Sequence, residues 1–228
     1  MEYRKLGRTG IECSAIGLGT WAFNSAVYGV VEEAAAVEAI SAARDAGINF
    51  FDTAPLYGNS ERDGIAEEIL GRGLRRGRGE VVISTKFGRK PTEGNRPNFC
   101  AAQARQSVEE SLQRLRTDYI DVLFFHSPFA AEEIDDDIWE ELDRLKEGGK
   151  VRWVGAAIGP DIGWTEEGLY AIEQRRAPSQ IIYNVLEQDP ALEFIDRAEA
   201  EGVGLLSRVP HASGLLDGKY TRATKFDP

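Results

Sequence analysis

Val81-Val82-Ile83-Ser84-Thr85 and Tyr119-Ile120-Asp121-Val122-Leu123-Phe124-Phe125 are two runs rich in β-branched, aromatic and aliphatic residues. They lack the strict apolar–polar alternation of a strand with one wet face. The first, β-branched and continuous, reads as a strand buried on both faces, as in parallel sheets, and the second as another strand. Between them, residues 97–115 are expected to be helical, with Val108, Leu112 and Leu115 on one stripe. Strand, amphipathic helix and strand make one βαβ unit.

The same unit recurs in both directions. Upstream lie the short apolar run Ala15-Ile16-Gly17-Leu18-Gly19 and a helix over 32–46 carrying Val37, Ile40 and Ala43. Gly47 stands where a C-cap glycine would stand. A strand over Ile48-Asn49-Phe50-Phe51 follows, then a helix over 60–74 with Ser60 as its expected N-cap. Downstream the spacing predicts a helix over 132–147, ended by Gly148-Gly149, and a strand over 151–157. A helix over 165–175, a strand over 179–183, a helix over 190–201 with Pro190 in its first turn, and a strand over 203–207 complete the chain. Seven strands alternate with six helices, which demands a parallel sheet under helical cover. The alternatives are an open doubly wound sheet and a (β/α)8 barrel. No stretch rich in Pro, Gly or Ser divides residues 1–228, so a single domain is expected.

Composition narrows the function. The 228 residues are 42% apolar and 29% charged, which excludes a disordered or fibrous chain. Lys plus Arg is 27 against 38 for Asp plus Glu, a formal charge of -11. No nucleic-acid partner is expected of so acidic a chain, and an anionic ligand would need a local basic pocket. The acidic run Glu132–Asp137 reads as a solvated helix start, and Arg72, Arg75, Arg76 and Arg78 as a solvated helix end. No apolar run approaches membrane-spanning length, and Met1–Arg8 has no apolar signal core. Two cysteines, Cys13 and Cys100, suit a reducing compartment, so a cytoplasmic protein is expected.

In parallel α/β folds, functional groups gather at the C-terminal ends of strands. Asp52, Lys86 and His126 stand there on three consecutive strands, and Tyr57 follows Asp52 in the same loop. Singly, each has an ordinary structural reading: a turn residue, a surface lysine, a core histidine, a packing tyrosine. Brought together they make chemical sense. Asp52 would keep a desolvated Lys86 charged, and Lys86 would lower the Tyr57 pKa from its usual value of about 10. Tyr57 would then act as a general acid, with His126 orienting a carbonyl oxygen. Such a set protonates a carbonyl but supplies no hydride, so reduction requires a cofactor.

No dinucleotide fingerprint accompanies it. Gly17-Leu18-Gly19 lacks its third glycine, and Gly71-Arg72-Gly73 follows a helix. Residues 214–219 have the wrong spacing for a P-loop, and no G-x-S-x-G elbow occurs. With only two histidines, His126 and His211, and no Cys/His cluster, no metal is expected. A Schiff-base role for Lys86 is disfavoured, because Asp52 opposes the depressed pKa it needs.

The chain resembles the aldo-keto reductase superfamily, in the bacterial and potassium-channel β-subunit-like branch. The segments that carry the resemblance run along the whole chain. They are Arg4–Gly10, Gly17–Trp21, Gly47–Ala54, Tyr57-Gly58, Ser60-Glu61, Thr85–Gly88, Ser111–Leu115, Tyr119–Asp121, Gly148–Arg152 and Gln180–Asn184. The resemblance implies a (β/α)8 TIM barrel that reduces an aldehyde or ketone to an alcohol. The implied cofactor is NADPH (NADP), less often NAD, held without a Rossmann domain. It maps a catalytic tetrad onto Asp52, Tyr57, Lys86 and His126. It places Gly19, Thr20, Trp21, Asp52, Gln180, Ser207, Arg208 and Val209 at the cofactor. The implied partner is a small-molecule carbonyl substrate, and a homo-oligomer is left open.

Two departures stand out. Ala157-Ile158 occupies a place where the family has side-chain donors, often Ser-Asn, and Arg208 stands where it stacks an aromatic. Only seven strands can be read, so an incomplete barrel is expected, C-terminally truncated, without strand eight and the last helix. Its open edges would favour pairing or aggregation, and such a chain could be inactive. The alternative function is a nucleotide-binding regulatory or sensing module with little turnover.

Overall fold

The computed structural model describes residues 1–24, 29, 31–128, 136–159 and 164–226. Residues 132–135 of the acidic run, and with them the expected helix start, lie outside the described residues.

Seven strands form one sheet: β3 (Leu18–Gly19), β4 (Phe50–Asp52), β5 (Val82–Phe87), β6 (Ile120–His126), β7 (Val151–Ala157), β8 (Ser179–Ile182) and β9 (Leu205–Arg208). Their spatial order is their chain order, and each pairs parallel with the next. A doubly wound sheet reverses its strand order at a switch point. None occurs here, so the sheet is the wall of a (β/α)8 barrel with seven strands described. It is curled: Gln180 on β8 reaches Asp52 on β4, four strands away, with a hydrogen bond of 2.6 Å.

Period-two alternation sorts each strand into two faces. Phe50, Val82, Val122, Phe124, Trp153, Ala157 and Leu206 pack together inside the curl. Phe51, Ile83, Leu123, Phe125 and Ile181 pack in the clusters shared with the helices. Those helices are α1 (Glu33–Asp45), α2 (Ile65–Gly73), α3 (Ala101–Leu115), α4 (Asp136–Glu147), α5 (Thr165–Leu169) and α6 (Ala191–Glu201).

A hairpin of β1 (Tyr3–Lys5) and β2 (Glu12–Ser14) precedes the barrel and has no counterpart in the sequence reading. It plugs the N-terminal end of the barrel: Leu6, Ile11 and Cys13 join the interior cluster. Burial, and then the nearby Asp121 charge, push the Cys13 thiol up to about 12. Asn49 ties the plug to β4, accepting from the Ser14 amide at 2.6 Å and donating to the Glu12 carbonyl at 3.0 Å. The crossing at the far side depends on Gly7. Its φ is +49°, and a Cβ there would lie 2.2 Å from the Gly204 backbone nitrogen. Left-handed backbone costs an L-residue about 1–2 kcal/mol, and overpacking about 1–3 more. Gly7→Ala is therefore expected to lower stability by about 2 kcal/mol or more in urea unfolding. A change within about 0.5 kcal/mol, the range of an ordinary surface substitution, would show that the crossing can relax.

Several expected helix boundaries move, two of them for an evident local reason. Helix α2 starts at Ile65, with Gly64 rather than Ser60 at its N-cap. The Asn59 carboxamide accepts from the amides of Glu61 and Arg62 and folds that stretch into a turn. Helix α3 starts at Ala101, because Asn98 donates back to the Gly88 carbonyl and holds the preceding residues to the loop. After Leu169 the backbone widens into a π-helical turn over Tyr170–Gln174. Pro190 is the N-cap of α6 rather than part of its first turn. Among the described residues, no helix is long and apolar enough to cross a membrane.

Candidate active site

The C-terminal strand ends converge on one carboxylate. Asp52 ends β4, and its Oδ2 accepts from Lys86 Nζ at 2.7 Å. Its Oδ1 accepts from Ser84 Oγ and from Gln180 Nε2, each at 2.6 Å. Lys86 lies on β5, two residues past Ser84, so alternation aims both side chains to the same face. The lysine is fully buried and also donates to the Thr53 carbonyl at 2.8 Å. Burial alone would push its ammonium down, but the Asp52 carboxylate and then Tyr57 outweigh it, and its pKa lies above the ordinary lysine value. Lys86 is thus charged at neutral pH.

Tyr57 stands over this pair. Lys86 Nζ lies 5.0 Å from its ring centre, and His126, ending β6, meets the ring edge-on at 6.1 Å between centroids. The expected lowering of the tyrosine pKa does not occur. Burial of the phenol is the largest influence and pushes it up; Lys86 pulls it down, Asp52 pushes it up again, and the net direction is upward. His126 goes the other way. Burial, then Lys86, Arg208 and Arg89, hold the imidazole well below its ordinary range, so it is neutral. Its Nδ1 finds no hydrogen-bond partner among the described residues.

The other residues singled out from sequence divide. Gly19 pairs with Asp52 across the sheet, and a Cβ on it would meet no atom within 4 Å. Thr20 is buried and donates its amide, at 2.9 Å, and its hydroxyl, at 3.0 Å, to the Asp52 carbonyl. Trp21 is 41% exposed at the rim. Gln180 leaves its buried Oε1 without a partner among the described residues. Ser207 is exposed and donates to the Tyr183 carbonyl at 2.8 Å, while the Val209 backbone is left-handed at φ +57°. Arg208 donates to the Ile158 carbonyl at 3.0 Å and to the Gly159 carbonyl. The Ala157 and Ile158 side chains are buried and offer no polar group. Ser84 was missed in the sequence, although its two-residue spacing from Lys86 on one strand was the signal. Among the described residues, no three His, Cys, Asp or Glu side chains are grouped to hold a metal.

Comparison with known proteins agrees with this arrangement. Residues 15–228 match the Aldo/keto reductase family. The chain is 35% identical over 228 residues to L-galactose dehydrogenase of Arabidopsis thaliana, covering 95% of this chain and 67% of that one. It is 33% identical over 245 residues to the NADH-specific methylglyoxal reductase of Escherichia coli, covering 97% and 71%. The crystal structure of PA4992, a putative aldo-keto reductase from Pseudomonas aeruginosa, superposes with a TM-score of 0.77 at 34% identity, over 90% of this chain and 77% of that one. A barrel wall built in chain order, a buried lysine–carboxylate pair at its C-terminal end, and a family match from residue 15 onward lead to one conclusion: the chain belongs to the aldo/keto reductase family.

Proposed function

We propose that this chain, as one domain, reduces an aldehyde or ketone to an alcohol using NADPH, with Tyr57 as the general acid. The observation that carries the reading is the buried Lys86 ammonium held between the Asp52 carboxylate and the Tyr57 ring, with His126 against that same ring. A neutral phenol beside a fixed cation is a proton donor whose conjugate base is stabilised as it forms. Tyr57 gives its proton to the carbonyl oxygen. Lys86 holds the phenolate that results, Asp52 keeps Lys86 charged, and solvent returns the proton. Neutral His126, with a ring nitrogen unclaimed by the described residues, orients the carbonyl oxygen.

The residues present fit a nicotinamide cofactor, which supplies the hydride when bound. The buried Gln180 Oε1 suits a carboxamide N–H, and the open space above Gly19 leaves room at the rim. Thr20, Trp21, Asp52, Ser207, Arg208 and Val209 would complete the site. Both cysteines are free thiols, which suits work in the cytoplasm.

Trp21 makes the proposal testable by fluorescence. Titration with NADPH, and with NADH in parallel, should quench tryptophan emission saturably, and Trp21→Phe should remove part of that quenching. A panel of aldehydes and ketones should then oxidise the reduced cofactor. Binding without turnover would favour the sensing module, and a folded chain that binds neither cofactor would sink the proposal.

A further inference from the structure

We infer that Arg89 is the positioning residue for His126, acting as a staple between the loops that follow β5 and β6. All three of its guanidinium nitrogens donate to backbone carbonyls. Nε reaches the His126 carbonyl, Nη2 the Ser127 carbonyl and Nη1 the Asn95 carbonyl, each at 2.9 Å. A planar fork with fixed donors suits that task; a lysine's single ammonium does not. The strand also needs holding at this point. Ser127, directly after His126, has φ +50°, a left-handed conformation that a non-glycine residue keeps only when its surroundings impose it. The Ser127 amide is bound on the other side, by the Ala157 carbonyl at 2.9 Å. Arg89 closes the remaining side and so fixes where β6 ends and where the imidazole starts.

The inference rests on the reading of His126 as the group that orients the carbonyl. It adds a second role for the same cation. The groups that bear on His126 are Tyr57 from the loop after β4, Lys86 from β5, Arg89 from the loop after β5 and Arg208 from β9, with Asp52 beyond Lys86. Three of these are cations, and each disfavours the imidazolium. Removing Arg89 withdraws one of them, so His126 should take up its proton at a higher pH than in the parent protein.

The chain has two histidines. A His211→Gln background therefore leaves His126 as the sole imidazole, whose titration NMR can follow without any turnover. In that background Arg89→Met should move the His126 titration to higher pH and lower kcat by about 10- to 100-fold, the scale of a slightly misplaced catalytic group, with KM for the reduced cofactor little changed. Arg89→Lys keeps the charge and loses the fork, so it should leave the titration in place and still lower kcat. In a His126→Ala background, Arg89→Met should cost almost nothing further. An Arg89→Met loss that is undiminished by His126→Ala, or a titration and kcat both unmoved by Arg89→Met, overturns the inference. If His126→Ala itself keeps full turnover, the orienting reading of His126 fails, and the His126 ring chemical shifts decide the staple: shifts displaced by Arg89→Lys, which keeps the charge and loses the fork, support it, and shifts unmoved by Arg89→Lys overturn it.

Discussion

Tyr57→Phe should reduce carbonyl turnover by about 10²–10⁴-fold, the contribution of a general acid, while leaving fold and cofactor binding intact. The substitution removes one hydroxyl. The ring stays, and with it the edge contact to His126 and the face presented to Lys86. Initial rates of carbonyl reduction, paired with the fluorescence titration, separate the two effects: binding unchanged, rate lost. Full turnover by the variant would remove Tyr57 from the mechanism. The pH dependence has a definite sign. Burial holds the phenol above its ordinary value of about 10, so the acid form persists through neutral and mildly alkaline pH. Reduction should hold its rate there and fall only as the phenol ionises. Alcohol oxidation, which needs the phenolate as base, should speed up with rising pH.

The pKa of Tyr57 marks one limit of what its sequence context conveys. Lys86 and Asp52 could be placed near it from their positions at strand ends. The competition between their charges and the loss of water could not, because burial depends on how the loop after β4 packs. That loop is shaped by Asn59, whose carboxamide folds residues 59–62 into a turn and delays helix α2 to Ile65. Ser84 was within reach of pattern reading, since period two puts it on the face of Lys86. Arg89 was not. Its role lies in three carbonyls brought together by two separate loops, and no spacing in the chain encodes that.

The fold shows the same division. β5 and β6 are continuous buried runs and announce a parallel sheet from composition alone. The choice of barrel over doubly wound sheet needs the strand order, which hydrophobic pattern leaves open. The β1–β2 hairpin escaped notice because β1 is Tyr3-Arg4-Lys5, exposed throughout. Its value lies in the three side chains that plug the barrel, Leu6, Ile11 and Cys13, and these are scattered among polar residues. Arg78 was misread for a related reason. It closes a run of arginines after a helix and looks like solvated charge, yet its side chain is only 18% exposed.

Asp121→Ala should be the costliest single change away from the C-terminal face, because Arg78 and the barrel floor depend on one buried carboxylate. Asp121 is 1% exposed. Its Oδ2 accepts from the Ile83 amide at 2.9 Å and from Arg78 Nη2 at 2.7 Å, and its Oδ1 accepts from Arg152 Nη1 at 2.7 Å. Arg78 in turn donates to the carbonyls of Val81 and Tyr119 and stacks on the Tyr119 ring at 3.9 Å. One carboxylate thus joins β5, β6 and β7 at the end opposite His126. The Arg152 contact counts for little, since that side chain is 53% exposed and water screens it. The Arg78 pair and the Ile83 amide carry the effect. Breaking a buried pair from one side costs about 3–5 kcal/mol, because the partner charge stays behind without compensation. Against a typical total of about 5–15 kcal/mol, that loss should shift the urea midpoint far to the left. Asp121→Asn keeps an acceptor and the shape, so it should lose less. Both variants should still quench with cofactor under native conditions, since the hydrogen bonds of Asp121 go to Ile83, Arg78 and Arg152 and to none of Asp52, Tyr57, Lys86 and His126. A loss below about 1 kcal/mol for Asp121→Ala would mean that the plug and the apolar interior hold the floor without the charge, and that the buried pair only balances its own desolvation.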